Sequence, residues 1–339
     1  MTVPGVTSPR RHVVVPYPAS NSSVRVRALH WMHRAVEHGR LHAGDVTCHG
    51  PGFDGGPIAA GQHVVLLRNV RRLTRGGAEE RVLSRADLGV YDLDDGLPWD
   101  DGTLPGLGHW TKRPFSRARV ARRAAAAADR VIVGNEVLAD WAVQHCDDVR
   151  LVPTCVEPGD YDVRSTWDVP EVPVMGWIGS PATEPYLNEI ARALRIVHEQ
   201  TGATLRIISG PGETHPDLAS FSTRREWRPG VERDIATWDV GLMPLRDGVY
   251  ERAKCGYKLL QYAASGVPAV ASPVGVNLQL VREMDALGPV SNDEWSAALL
   301  EVLSEPTGRR ARRAAAGRST ADRFSYATWE STWMDAVGW

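Results

Sequence analysis

DVGLMPLRDGVYERAKCGYKLLQYAASGVPAVASPVGVN, residues 239–277, packs a strand–helix–strand–helix alternation into one short segment. An apolar strand over 239–243 runs into a loop holding Arg246, Arg252 and Lys254. A helix opens at about Tyr257, a turn at Gly266–Pro268 leads into a second strand over 268–271, and Ser272–Gly275 precedes another helix. Two helix N-termini and two lysines therefore meet at the carboxyl ends of neighbouring strands, the edge where open parallel sheets take ligands. Free backbone N–H groups and the positive helix end favour an anion there, and a lysine adds a full charge. Within the helix, Lys258, Gln261, Tyr262 and Ser265 fall on one face by their spacing, which predicts a polar face able to meet a phosphate and then a ribose. An ordinary solvated helix face fits the same pattern.

The alternation extends outward from this segment in both directions. Short β-rich runs separated by helical patterns predict an α/β protein with parallel sheets. In the first half strands are expected over 12–16, 45–48, 63–67, 88–92, 130–133 and 149–152, with helices over 24–38, 78–86, 116–128 and 135–144. Val26, Leu29, His33 and Val36 are the expected buried stripe of the first helix. Prolines at 153–158 and 170–173 mark a connection, since neither helices nor strands tolerate them well. Strands then resume over 173–178, 204–209, 238–243 and 268–271, with helices over 184–199, 257–265, 276–284 and 294–303. The predicted domains are 1–160 and 161–339, the second ending in a tryptophan-rich helix.

Composition narrows the function. The 339 residues carry a net charge of −2, without the basic excess of a general nucleic-acid binder. No apolar run reaches the length of a membrane span, the N-terminus lacks a signal-peptide pattern, and Cys48, Cys146, Cys155 and Cys255 show no CxxC spacing. A reduced, cytoplasmic protein is expected. His38 and His42 lie four apart but read as an exposed helix end, and no metal-ligand cluster is expected. Only Lys112, Lys254 and Lys258 interrupt a preference for arginine. Coding bias explains the preference; it does not explain two of the three lysines in the window KCGYK. Lysine presents a compact point charge where arginine presents a flat fork.

The segment Lys258-Leu-Leu-Gln261-Tyr262-Ala-Ala-Ser-Gly266-Val-Pro268-Ala-Val-Ala-Ser272 resembles the donor-site signature of glycosyltransferase family 4, retaining enzymes of GT-B fold. VYDLDDG (90–96), ADRVIVGNEVLADWA (128–142), VPTCVEPGDY (152–161) and GWIGSPATEPYL (176–187) fit the same group, collinearly and over nearly the whole chain. The resemblance implies two Rossmann-like domains facing across a cleft, the first binding an acceptor and the second a nucleotide sugar. It also implies a final helix that crosses back to the first domain. The activity implied is sugar transfer with retention, with no metal and no cofactor beyond the sugar nucleotide.

On that resemblance Lys254 and Lys258 would neutralise the leaving diphosphate, with Gln261 at the position of a family glutamate. The other member of the family's glutamate pair falls on Ala253, with Glu251 nearby. The loop Gly179–Glu184, where many relatives carry an arginine and a lysine, has no base. Gly179 and Ser180 are expected to approach phosphate or sugar or to form a plain strand-to-helix turn, Arg252, Tyr262, Ser272 and Gly275 to complete the donor site, and Trp227 to mark the base-binding loop or to lie in the core. On the acceptor side Arg25, Arg68, Asp92, Asp94 and His109 are the candidates, with Asp95 beside them; the aspartates fit a structural role, capping or interdomain pairing, equally well. The acceptor expected is a glycan, a lipid-linked sugar or a small molecule. Residues 112–123 carry six positive charges suited to peripheral contact with the inner membrane face or to plain solvation. Two rival functions are a GT-B sugar-nucleotide epimerase and a catalytically impaired sugar-nucleotide-binding or partner protein.

Overall fold

The computed structural model describes residues 10–15, 17–19, 21–50, 53, 58, 61–70, 75–100 and 116–339. The chain divides into two compact units, Met1–Thr154 with Trp329–Trp339, and Cys155–Thr328. Each is a parallel sheet flanked by helices.

In the first unit β1 (Arg10–Val14), β2 (Val46–His49), β3 (Gln62–Leu67), β4 (Leu88–Leu93), β5 (Arg130–Val133) and β6 (Val149–Leu151) form one sheet in the order β2-β1-β3-β4-β5-β6. Every pairing is parallel. The inner strands are near-continuous apolar runs because both faces are covered, and Val64, Leu66, Val90 and Ile132 are fully buried. The strand order reverses between β1 and β3, so a crevice is expected at their carboxyl ends.

The first helical run departs from its expected face. Asn21 caps it by accepting from the amides of Ser23 and Val24, and a π-helical segment, Arg25–Leu29, separates Ser22–Val24 from His30–Glu37. Val26 is buried as expected, but His33 and Val36 are exposed. The covered residues are instead Val24, Ala28, Trp31 and Ala35. The wider π turn shifts the phase that a regular 3.6-residue count assumes. Trp31 then stacks on Trp333 of the last helix, Tyr326–Val337, with ring centroids 5.3 Å apart. Glu330 of that helix accepts from Arg34 Nε at 2.9 Å and pairs with His38, so the chain's final residues are part of the first unit.

In the second unit β7 (Val174–Ile178), β8 (Thr204–Ser209), β9 (Ser222–Glu226), β10 (Val240–Met243) and β11 (Ala269–Ala271) lie in the order β11-β10-β7-β8-β9, again all parallel. One face is sealed by a cluster that includes Trp177, Leu205, Leu299 and Trp295, the other by Trp238, Leu259 and Tyr262. β9, sequence STRRE, was not among the expected strands; as an edge strand it is mostly solvated and lacks an apolar signature. Among the described residues no helix is long and apolar enough to cross a membrane.

Candidate active site

In the second sheet the strand order reverses at β7, which has β10 on one side and β8 on the other. The loops leaving the carboxyl ends of β7 and β10 flank that switch point, where α/β sheets open a binding crevice. Gly179 follows β7, and Gly256 caps the start of the helix Tyr257–Ala264 after the β10 loop. A Cβ on Gly179 would lie 2.8 Å from Lys258 Cε and 2.6 Å from the Trp177 ring. Only a glycine lets the lysine stem run so close to the backbone. Lys258 Nζ sits 5.3 Å from the centre of the Trp177 ring, and Lys254 Nζ 4.6 Å from that of Tyr250. A cation over an aromatic face is drawn to the ring's quadrupole.

Gly275 adds a second close approach. Its φ is +56°, and a Cβ there would fall 2.3 Å from the Arg252 carbonyl oxygen, so the Ser272–Gly275 loop is locked against the segment carrying Arg252 and Lys254. Ser272 is buried and structural: its hydroxyl accepts from the Leu245 amide at 3.0 Å, and its carbonyl accepts from the Asn277 side chain at 3.2 Å. Arg252 is exposed and chelates Asp247 at 2.6 and 3.0 Å. Ser180 is exposed in the turn after Gly179, its carbonyl accepting from the Thr183 hydroxyl. A depression of about 340 Å³ opens at the same sheet edge between Leu245, Ser272, Val274 and Trp295, and neither lysine lines it.

The polar helix face expected of Lys258, Gln261, Tyr262 and Ser265 is not present. Gln261, Tyr262 and Ser265 are all buried. Tyr262 packs against Gly241 and Trp238, and its hydroxyl donates to the Leu242 carbonyl at 2.8 Å; burial pushes its phenol well up. This side of the helix lies on the sheet, and Tyr262 is a core residue. Gln261 donates from Nε2 to the Tyr161 hydroxyl at 3.2 Å, and that hydroxyl lies 3.2 Å from the hydroxyl of Tyr257. Trp227 follows β9 half-buried and packs against the cluster around Trp238.

No sequence pattern marks the reach of Arg224. From β9 it reaches the base-free loop after β7, pairing with Glu184 and donating to the Gly210 carbonyl at 3.1 Å. The other acids near β7 and β10 are also engaged. Glu189 pairs with Arg246, Asp247 with Arg252, and Glu251 accepts from the Tyr186 hydroxyl at 2.6 Å. Among the described residues no group of three or more His, Cys, Asp or Glu could hold a metal ion.

In the first unit the structure brings Arg68, Asp94 and Asp95 together near the β1/β3 switch point. Arg68, at φ +63°, donates to Asp95 at 2.7 Å and to the Ser23 hydroxyl at 3.2 Å, and lies 3.6 Å from Asp94. Asp92 is not available to an acceptor. It is fully buried and bonded twice by Arg27, at 2.9 and 2.8 Å, and Arg27 also donates to the carbonyls of Val152 and Pro153. Burial raises the Asp92 carboxyl while Arg27 opposes that rise. Arg25 opens the π-helical segment. His109 and residues 112–115 lie outside the described residues; over 116–123, Arg117 pairs with Asp100 and Arg123 with Glu80.

No protein-family model matches the chain, and no curated protein matches it. Solved structures do. The fold is GT-B. WaaG, a glycosyltransferase involved in lipopolysaccharide biosynthesis, superposes with a TM-score of 0.68 at 13% identity, over 96% of this chain and 99% of WaaG. Anabaena Alr3699/HepE, solved in complex with UDP and glucose, gives 0.68 at 13% identity, over 97% and 99%. The pneumococcal O-GlcNAc transferase GtfA, in complex with UDP and GlcNAc, gives 0.58 at 14% identity, over 81% of this chain and 56% of GtfA. The GT-B likeness thus spans both units.

Proposed function

We propose that this chain is a retaining, metal-independent, nucleotide-sugar-dependent glycosyltransferase of the family 4 type. The second unit holds the sugar nucleotide and the first holds the acceptor. The observation that carries this is the meeting of Lys258 with Gly179 at the β7/β10 switch point, beside the Arg252–Gly275 contact. Further support comes from two GT-B proteins of similar fold solved with UDP and a sugar.

In the reaction the bond between sugar C1 and the β-phosphate oxygen breaks, and a bond from the acceptor oxygen to C1 forms on the same face. The acceptor proton passes to the departing phosphate, and charge grows on that phosphate as the bond opens. Lys258 and Lys254, fixed over Trp177 and Tyr250, are preorganised to meet it. Helix amides near Gly275 add partial positive charge. Arg68 with Asp94 and Asp95 forms the acceptor-side cluster, suited to hydroxyls of a glycan, a lipid-linked precursor or a secondary metabolite.

One observation favours a second function, a sugar-nucleotide-binding protein without turnover: Ala253 and Gln261, at the positions of the family's glutamates, are both buried. Epimerase chemistry needs acids or bases free to move protons, and the acids near β7 and β10 are paired. Donor hydrolysis and transfer to a panel of sugar and lipid-linked acceptors separate these functions. A transferase turns over, and Lys258→Ala lowers its rate by about 10²–10³. Binding of a sugar nucleotide with no turnover on any acceptor establishes the second function instead.

A further inference from the structure

Trp177 is buried as a ring and open as a donor. The β7 ladder runs on to Gly179, whose amide donates to the Ile208 carbonyl at 3.0 Å, so positions 177 and 179 fall on the same side. The indole therefore passes under Gly179. Its Cζ2 and Cη2 atoms lie 2.6 Å from the point a Gly179 Cβ would occupy, and Lys258 Cε lies 2.8 Å from that point. Cζ2 is bonded to the ring carbon that carries Nε1, so the N–H leaves the indole along this edge. Only 1% of Trp177 is exposed, and Nε1 belongs to that fraction; Nε1 of Trp238, by contrast, is sealed in the core. Among the described residues nothing accepts from the Trp177 N–H. A buried tryptophan ordinarily spends its N–H on a partner. Lys258 cannot be that partner, because an ammonium only donates. An indole N–H and a full positive charge thus meet beside one glycine, and an anionic oxygen is the group that accepts from both.

We propose that the Trp177 indole N–H donates to an oxygen of the diphosphate that Lys258 meets, so that Trp177 binds the ligand as well as seating the lysine. This rests on the donor site proposed above. The two donors do different work. Lysine brings the charge on a flexible stem. Tryptophan brings direction, because its ring is held in the core among Leu205, Leu299 and Trp295 and has little freedom left to lose on binding.

The test reads the indole N–H signals of the full chain in proton–nitrogen NMR spectra. The chain has 12 tryptophans, and Trp177→Phe assigns the Trp177 signal by its loss. The probes are pyrophosphate, whichever of UDP, GDP, dTDP and ADP binds the wild type most tightly, and the matching nucleoside. The Trp177 proton should move downfield with pyrophosphate and with the nucleoside diphosphate, as a proton does on entering a charge-assisted hydrogen bond. Affinity is then measured with benzothienylalanine in place of Trp177, which keeps both fused rings and puts sulfur where the N–H was. Binding of the nucleoside diphosphate should weaken about tenfold, the scale of one lost hydrogen bond to a charged group, with the thermal midpoint checking the fold. The same replacement assigns the signal if Trp177→Phe does not fold. A ring that only packs beneath Lys258 would leave this isostere at wild-type affinity. That result, a Trp177 signal unmoved by a bound nucleoside diphosphate, or one moved by the nucleoside and not by pyrophosphate, overturns the Trp177 contact and leaves the donor site standing. Absence of nucleotide binding in the wild type overturns both.

Discussion

Gly179 and Lys258 are 79 positions apart in the sequence, yet one side chain depends on the absence of the other. The Lys258 stem and the Trp177 ring fill the space that a Cβ on Gly179 would take, at 2.8 and 2.6 Å. Gly179→Ala is therefore expected to displace the ammonium while leaving the sheet paired. Affinity for a nucleoside diphosphate should fall by about tenfold or more, given that charge-assisted hydrogen bonds contribute roughly 1.5–3 kcal/mol, with the thermal midpoint changing much less in proportion. Titration of the variant against wild type checks this; unchanged affinity would mean that Lys258 does not need its seat on Trp177. The lysine clustering was legible because lysine is so rare in this chain. The burial of Gln261 was not, because helical spacing says which residues share a face but not which face the sheet covers. Tyr262 shows the same lesson, since Gly241 of β10 and Trp238 just before that strand claim its ring, and the helix count never sees them.

Among the elements, strands with apolar cores were readable directly: HVVLL, RVIV and PVMGWI are buried on both faces of parallel sheets. β9 escaped because an edge strand needs no apolar pattern, and with it went Arg224, whose reach to Glu184 depends on the lateral order β7-β8-β9. Arg27 and Asp92, 65 positions apart, escaped for a similar reason: nothing local marks a pair made by register. The edge pair β1–β2 carries its own prediction. His12 Nδ1 and His49 Nε2 lie 2.9 Å apart with stacked rings, an arrangement that shares one proton and resists a second. Burial lowers both imidazoles, Arg10 adds to the effect at His12 while Gln62 opposes it, and His12 adds to it at His49. With folded values below the unfolded one, the unfolded chain binds more protons beneath a pH of about 6.5. The pair's contribution is intact above that pH and is lost as pH falls through the lowered values. Between pH 7.5 and 5.5 the wild type should therefore lose more thermal stability than a His12→Gln/His49→Gln variant; equal losses would contradict this.

At the scale of the whole molecule, two parallel sheets with different strand orders each present a switch point, and the candidate residues gather near both. Near one stand the lysines, near the other Arg68 with its aspartates. The two-sheet architecture was legible because the strand–helix alternation restarts after the prolines at 153–158. The final residues join the first unit through Trp333 on Trp31 and Glu330 on Arg34, contacts that span some 300 positions and have no local signal. The central claim is that the second unit binds a nucleoside diphosphate at the β7/β10 edge. Thermal unfolding of wild type and Lys258→Ala with UDP, GDP, dTDP and ADP tests it most directly. A ligand present at 100 times its Kd should stabilise the folded state by about 2.7 kcal/mol. At least one of the four should raise the wild-type midpoint, and Lys258→Ala should lose most of that rise. No shift with any of the four, or the same shift in Lys258→Ala as in wild type, would contradict the claim.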